Sequence, residues 1–108
     1  MTTIGYHKDL DEFSITADGH AGFAEAGNDI VCAGISTLLQ TLTAHIPDVA
    51  VRFDYRIEAG RLWCYAYGRD ARIAFDTILT GLEILESMFP QYLCITKGCP
   101  LITENPLR

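Results

Sequence analysis

The chain has 108 residues and a mass of 12.0 kDa, with 49% apolar and 20% charged residues. That is the size of one domain, residues 1–108, without room for a second core, and the composition excludes a disordered or low-complexity chain. Eight Lys and Arg against fourteen Asp and Glu leave a net charge of −6, which argues against nucleic acid as a partner and for a basic protein or peptide.

The apolar stretches are short and interrupted, and none approaches the ~20 residues of a membrane span. Residues 1–10 lack a basic region followed by an apolar run, so a cytoplasmic protein with no membrane partner is expected. Cys32, Cys64, Cys94 and Cys99 form no CxxC pair, and His7, His20 and His45 are scattered. Free thiols are expected, with neither a metal site nor a cofactor.

Residues 2–7 alternate loosely and residues 13–17 alternate apolar with polar, which predicts an N-terminal hairpin turning at residues 8–12. Residues 18–28 hold Gly19, Gly22 and Gly27 and predict a mobile loop. Asn28 and Asp29 are good helix caps. After them Ile30, Val31, Ile35, Leu38, Leu39, Leu42 and Ile46 recur largely at helical spacing, up to a stop expected at Pro47. Residues 49–57 and 61–67 are rich in β-branched and aromatic side chains and flank the short turn 58–60, which predicts a second hairpin. A second helix opens at residues 68–70 and ends at Pro90; Ile73, Ala74, Ile78, Leu82, Leu85 and Met88 give it a wide apolar stripe. Residues 92–96 read as a fifth strand and residues 97–108 as an irregular tail. The order ββαββαβ predicts an α+β two-layer sandwich, with a mainly antiparallel sheet and two helices on one face. The excess apolar surface of the second helix suggests a homodimer.

Chemistry concentrates at the first helix. With Asp29 as cap, Cys32 falls at the third helical position, among free backbone N–H groups and the positive end of the helix dipole. Such a place favours the thiolate, the nucleophilic form of cysteine. His20 lies in the glycine-rich loop entering that helix, where it can take the thiol proton and return it to a leaving group. Asp29 either orients His20 or caps the helix. Ser36, one turn on, shares the face of Cys32. Taken singly, each residue has a plainer reading: a buried core cysteine, a solvated histidine, a cap.

Gly19-His20-Ala21, followed by Gly27-Asn28-Asp29-Ile30-Val31-Cys32-Ala33 and Ser36, resembles the ribosomal-processing cysteine protease (Prp) family. That pattern pairs a Gly-His-Ala motif with an Asp-Ile-Val-Cys-Ala helix start, and the resemblance extends over the chain up to residue 96. It implies a cysteine endopeptidase that removes an N-terminal extension from the twenty-seventh protein of the large ribosomal subunit, cutting after a hydrophobic sequence. It further implies Cys32 as nucleophile, His20 as base, Asp29 in support, a homodimer, and a glycine-rich loop that moves for substrate entry. Gly34 departs from the pattern, which often has alanine there; it either leaves space for substrate or has no role.

Elsewhere, alternation along residues 61–67 puts Leu62, Cys64 and Ala66 on one face and Trp63, Tyr65 and Tyr67 on the other. Both faces of a covered central strand are expected in preference to a ligand platform. Glu83 and Glu86 read as the solvated side of the second helix, and His7 and His45 have no partner pattern. The alternative reading is a non-catalytic ribosome-assembly module whose acidic surface holds a basic ribosomal protein. A thiol redox enzyme is disfavoured by the missing CxxC, and acyl transfer would use the same Cys/His pair.

Overall fold

Five strands and two helices appear in a computed structural model that describes residues 1–107: β1 (Thr2–Lys8), β2 (Glu12–Asp18), α1 (Ile30–Val49), β3 (Arg52–Glu58), β4 (Arg61–Tyr67), α2 (Arg69–Met88) and β5 (Leu93–Lys97). The two hairpins form as the alternation predicts, β1 against β2 and β3 against β4, both antiparallel. β2 also pairs antiparallel with β4, and β5 joins β1 in parallel, giving the sheet order β3-β4-β2-β1-β5. A parallel neighbour needs a long crossover. α2 supplies it between β4 and β5, while α1 carries the chain from β2 out to the edge strand β3.

Both helices cover one face of the sheet. Ile4, Tyr6, Phe13, Ile15, Leu62, Cys64 and Ala66 meet Val31, Ile35, Leu39, Leu42 and Ile46 of α1 and Phe75, Ile78 and Leu82 of α2 in one buried core. Phe13 and Phe75 stack with centroids 4.3 Å apart. The helices approach closely through two glycines. A Cβ on Gly34 would lie 3.2 Å from Leu85 Cδ1, and one on Gly81 would lie 2.9 Å from Leu38 Cδ2. Gly34 therefore makes room for a helix neighbour, not for substrate.

α1 runs two residues past Pro47, correcting the stop expected there. Proline removes one N–H, and near a helix end that loss leaves little of the ladder unmade. The Ala50 N–H closes the last turn on Ile46 O at 2.9 Å. β3 accordingly begins at Arg52, three residues later than expected. At 20 residues α1 is long and apolar enough to cross a membrane by length and composition, contrary to the sequence expectation; here its apolar stripe is packed into the core.

The other face of the sheet is covered by the tail. Trp63 Nε1 donates to Ile102 O at 3.0 Å, the Ile102 N–H donates to Ser14 Oγ at 3.0 Å, and the Cys99 N–H donates to Tyr6 O at 3.0 Å. Gly5 lacks a Cβ where one would lie 2.8 Å from Cys99 Sγ. Beneath this strap Trp63 is fully buried and Tyr65 nearly so, as expected of a strand covered on both faces. Two surface readings are corrected. Glu86 is half-buried, its Oε2 accepting the Ile95 N–H at 2.7 Å and tying α2 to β5. His7 does have partners, Asp9 Oδ2 at 2.8 Å and Cys99 O at 3.2 Å.

Candidate active site

Asp29, at φ −84° and ψ 100°, is extended and caps α1. Its Oδ1 accepts the Cys32 N–H at 2.9 Å, the bond that the three-residue spacing requires. Its Oδ2 accepts the N–H groups of Phe23 at 3.0 Å and Ala24 at 3.3 Å. These bonds, the one from Cys32 foremost, hold the carboxyl below its ordinary range. One side chain thus starts the helix and gathers the preceding loop onto it. The bonds of this carboxylate go to backbone N–H groups, so Asp29 acts as the cap of the two roles open to it.

Cys32 is half-buried at the third position of α1. Its Sγ accepts the Ala21 N–H at 3.1 Å, and a donor aimed at sulfur stabilises negative charge there. Ala21 is buried, so the chain next to His20 is fixed on the sulfur. The loop is also seated by Phe23, whose ring meets Phe89 and Tyr92 edge-on at 5.6 and 5.3 Å.

His20 is exposed and stands over the β3–β4 turn. A Cβ on Gly60 would lie 3.0 Å from His20 Nε2, and Gly60 has φ +73°. Both the left-handed turn and the space beneath the imidazole require glycine at this position. His20, Cys32, Ser36, Ile57, Gly60 and Leu62 contribute to the wall of a cleft of about 140 Å³ where α1 meets the ends of the strands. His20 and Cys32 face this shared cleft, with no hydrogen bond between them among the described residues. Ser36 is exposed on the cleft wall, one turn after Cys32.

Sequence reasoning missed Gly60 and Ile57. The turn at residues 58–60 was visible, but its placement under His20 depends on β4 pairing with β2, where Asp18 lies opposite Arg61. Gly19 adds to this, its N–H donating to Gly60 O at 2.8 Å.

The cleft thus holds a thiol at a helix N-terminus and an imidazole, and this pair can carry acyl transfer. The chain matches the family model described as cysteine protease Prp over residues 1–94. No curated protein matches it. Among solved structures it is similar to the S. aureus ribosomal processing protease Prp with a covalently linked product peptide, at TM-score 0.81 and 24% identity over 91% of this chain and 100% of that one. The same protease with a substrate peptide gives a TM-score of 0.77 at 24% identity, with the same coverage. SMU.848 from Streptococcus mutans is 25% identical at TM-score 0.66, covering 91% of this chain and 96% of that one. At these identities the structures establish the shared α+β fold, whereas the family match spans most of the chain and includes both His20 and Cys32. The chain belongs to the cysteine protease Prp family, and the protein is a cysteine protease.

Proposed function

We propose that this protein is a processing endopeptidase that removes the N-terminal extension of the twenty-seventh large-subunit ribosomal protein, with Cys32 as nucleophile and His20 as general base. The observation that carries the assignment is the 3.1 Å bond from the Ala21 N–H to Cys32 Sγ, which fixes the residue after His20 on the sulfur. His20 takes the thiol proton and the Cys32 sulfur attacks the scissile carbonyl, forming a C–S bond. The N–H groups of Ile30 and Val31, in the first turn of α1 where no intrahelical carbonyl reaches them, are the donors for the oxyanion. Collapse breaks the C–N bond, and the His20 imidazolium gives its proton to the departing amine. Water, deprotonated by His20, then hydrolyses the thioester and restores the thiol. Asp29 supports the reaction by setting the start of α1, and Ser36 offers a hydroxyl on the cleft wall.

Substrate entry is assigned to movement of the loop that carries Gly19, Gly22 and Gly27. All three have positive φ, between 75° and 91°, and opening would part Phe23 from Phe89 and Tyr92. A homodimer through the exposed Ile73, Ile84 and Met88 of α2, working in the cytoplasm on a basic ribosomal protein, completes the proposal.

Mass spectrometry of the purified protein mixed with the precursor of that ribosomal protein from its own organism tests the assignment. Wild type is expected to make one cut, while Cys32→Ala and His20→Ala make none and keep the wild-type circular dichroism. A cut by purified Cys32→Ala would overturn the assignment.

A further inference from the structure

The backbone around His20 is held from two directions. On one side the Ala21 N–H bonds the Cys32 sulfur. On the other, three successive residues meet the β3–β4 turn. Asp18 lies opposite Arg61 in the β2–β4 register, and its Oδ1 accepts the Arg61 Nε–H at 3.1 Å. The Gly19 N–H donates to Gly60 O at 2.8 Å. The His20 imidazole lies over the bare Cα of Gly60, where a Cβ would stand 3.0 Å from Nε2, 3.3 Å from Cε1 and 3.7 Å from Cδ2. A Cβ on Gly19 would lie 2.7 Å from Met1 O, so this part of the chain is wedged between the turn and Met1. The Asp18–Arg61 pair is half-exposed on both sides, and such pairs contribute little to stability.

The turn is also not the one that a hairpin alone selects. Glu58 pairs with Arg61, leaving a two-residue loop of Ala59 and Gly60. Such loops favour the turn types with positive φ at the first residue, which match the twist of the strands. Here only glycines have positive φ among the described residues, so Ala59 lacks it and Gly60, at +73°, has it. The left-handed residue therefore stands second, beneath the imidazole, and its carbonyl is the one that holds Gly19.

We propose that Gly60 is a positioning residue for the general base, and that the β3–β4 turn is the seat that sets the imidazole against the Cys32 sulfur across their shared cleft. With the backbone pinned at Gly19 and Ala21, a methyl group on residue 60 displaces the ring itself, not the loop that carries it. This rests on the assignment of Cys32 and His20 as the reacting pair.

Gly60→Ala, His20→Ala and the double variant are compared with wild type in two measurements, the rate of Cys32 alkylation by iodoacetamide at neutral pH and the kinetics of precursor cleavage. Gly60→Ala is expected to lower kcat by about a hundredfold, the cost of a catalytic group misplaced by roughly 1 Å, and to leave KM within about twofold. It is expected to slow alkylation, and the double variant to be no slower than His20→Ala, as a residue acting through the imidazole requires. Full-length protein assembled by chemical ligation at Cys32 and Cys64 admits D-alanine at position 60. D-alanine favours positive φ and carries its methyl on the other side of the Cα, away from the ring, so it is expected to restore wild-type kcat. Should Gly60→Ala lose the wild-type circular dichroism, Gly60→Asn, which tolerates this φ, takes its place. Wild-type kcat in the variant, an equal loss with D-alanine, a raised KM in place of a lowered kcat, or further slowing in the double variant overturns the proposal. If His20→Ala alone alkylates and cleaves at wild-type rates, the reacting pair itself is wrong and the role of Gly60 falls with it.

Discussion

Four cysteines occupy four environments, and their reactivity follows position. Cys64 points into the core from β4, where burial pushes its thiol up to about 12. Cys94 is exposed on β5, and Cys99 is half-buried within the tail, its sulfur against Gly5 of β1. Cys32 is half-buried, facing the cleft. Brief iodoacetamide treatment at neutral pH, mapped by peptide mass spectrometry, should label Cys32 and Cys94 and leave Cys64 unmodified until the protein is unfolded. Labelling of native Cys64 at the rate of Cys94 would contradict its placement. Cys32 and Asp29 were legible in the sequence because a cap and the third helical position are three residues apart, a relation fixed by local backbone geometry. The His20–Gly60 contact was not. It joins two loops through the β2–β4 pairing, and no spacing in the chain encodes which strands become neighbours.

At the scale of elements, the two helices owe their close approach to Gly34 and Gly81, yet the two glycines should respond differently. Alanine improves helix propensity by up to about 1 kcal/mol at either site. At Gly34 the added methyl would stand 3.2 Å from the end of the flexible Leu85 side chain, and Gly34→Ala should be near neutral in stability. At Gly81 it would stand 2.9 Å from Leu38 Cδ2 and 3.2 Å from Cδ1, and displacing both methyls costs roughly 1–3 kcal/mol. Gly81→Ala should therefore be the less stable of the two by about 1 kcal/mol, measured by urea denaturation. Equal stabilities would show that the helices part easily. The element order was readable because each helix carries its stripe and each hairpin its turn. The overrun of Pro47 was not, since a proline near a helix end removes little that the last turn has to supply. The sheet order, with β5 parallel beside β1, depends on α2 crossing the sheet and has no local signal.

For the whole molecule, the sheet is a sandwich with helices on one side and a ten-residue strap, residues 98–107, on the other. His7 couples that strap to pH. Its Nε2 bonds Asp9, its Nδ1 faces Cys99 O, and only the protonated ring donates at both. The bond to Asp9 is the main cause of a pKa raised above the ordinary histidine value. A raised folded-state pKa means that this contribution is complete below about 6.5, the unfolded value, and fades as pH rises through the higher folded value. NMR shifts of the Cys99 and Ile102 amides should hold steady below that range and move above it, and His7→Gln should flatten the profile. Identical profiles for both proteins would remove His7 from the control of the strap. The acidic net charge, read from composition, concerns encounter with a basic partner and leaves this internal coupling untouched.

Trp63 is the only tryptophan in the chain, and its indole nitrogen is bonded to the strap at Ile102 O. The protein's intrinsic fluorescence is consequently an optical gauge of strap seating, on the sheet face opposite the helices. A red-shifted emission announces that the tail has lifted, even when secondary structure is intact. A ligand entering the cleft beside Cys32 on the helix side will leave the spectrum still, so a flat titration curve is no sign that nothing has bound.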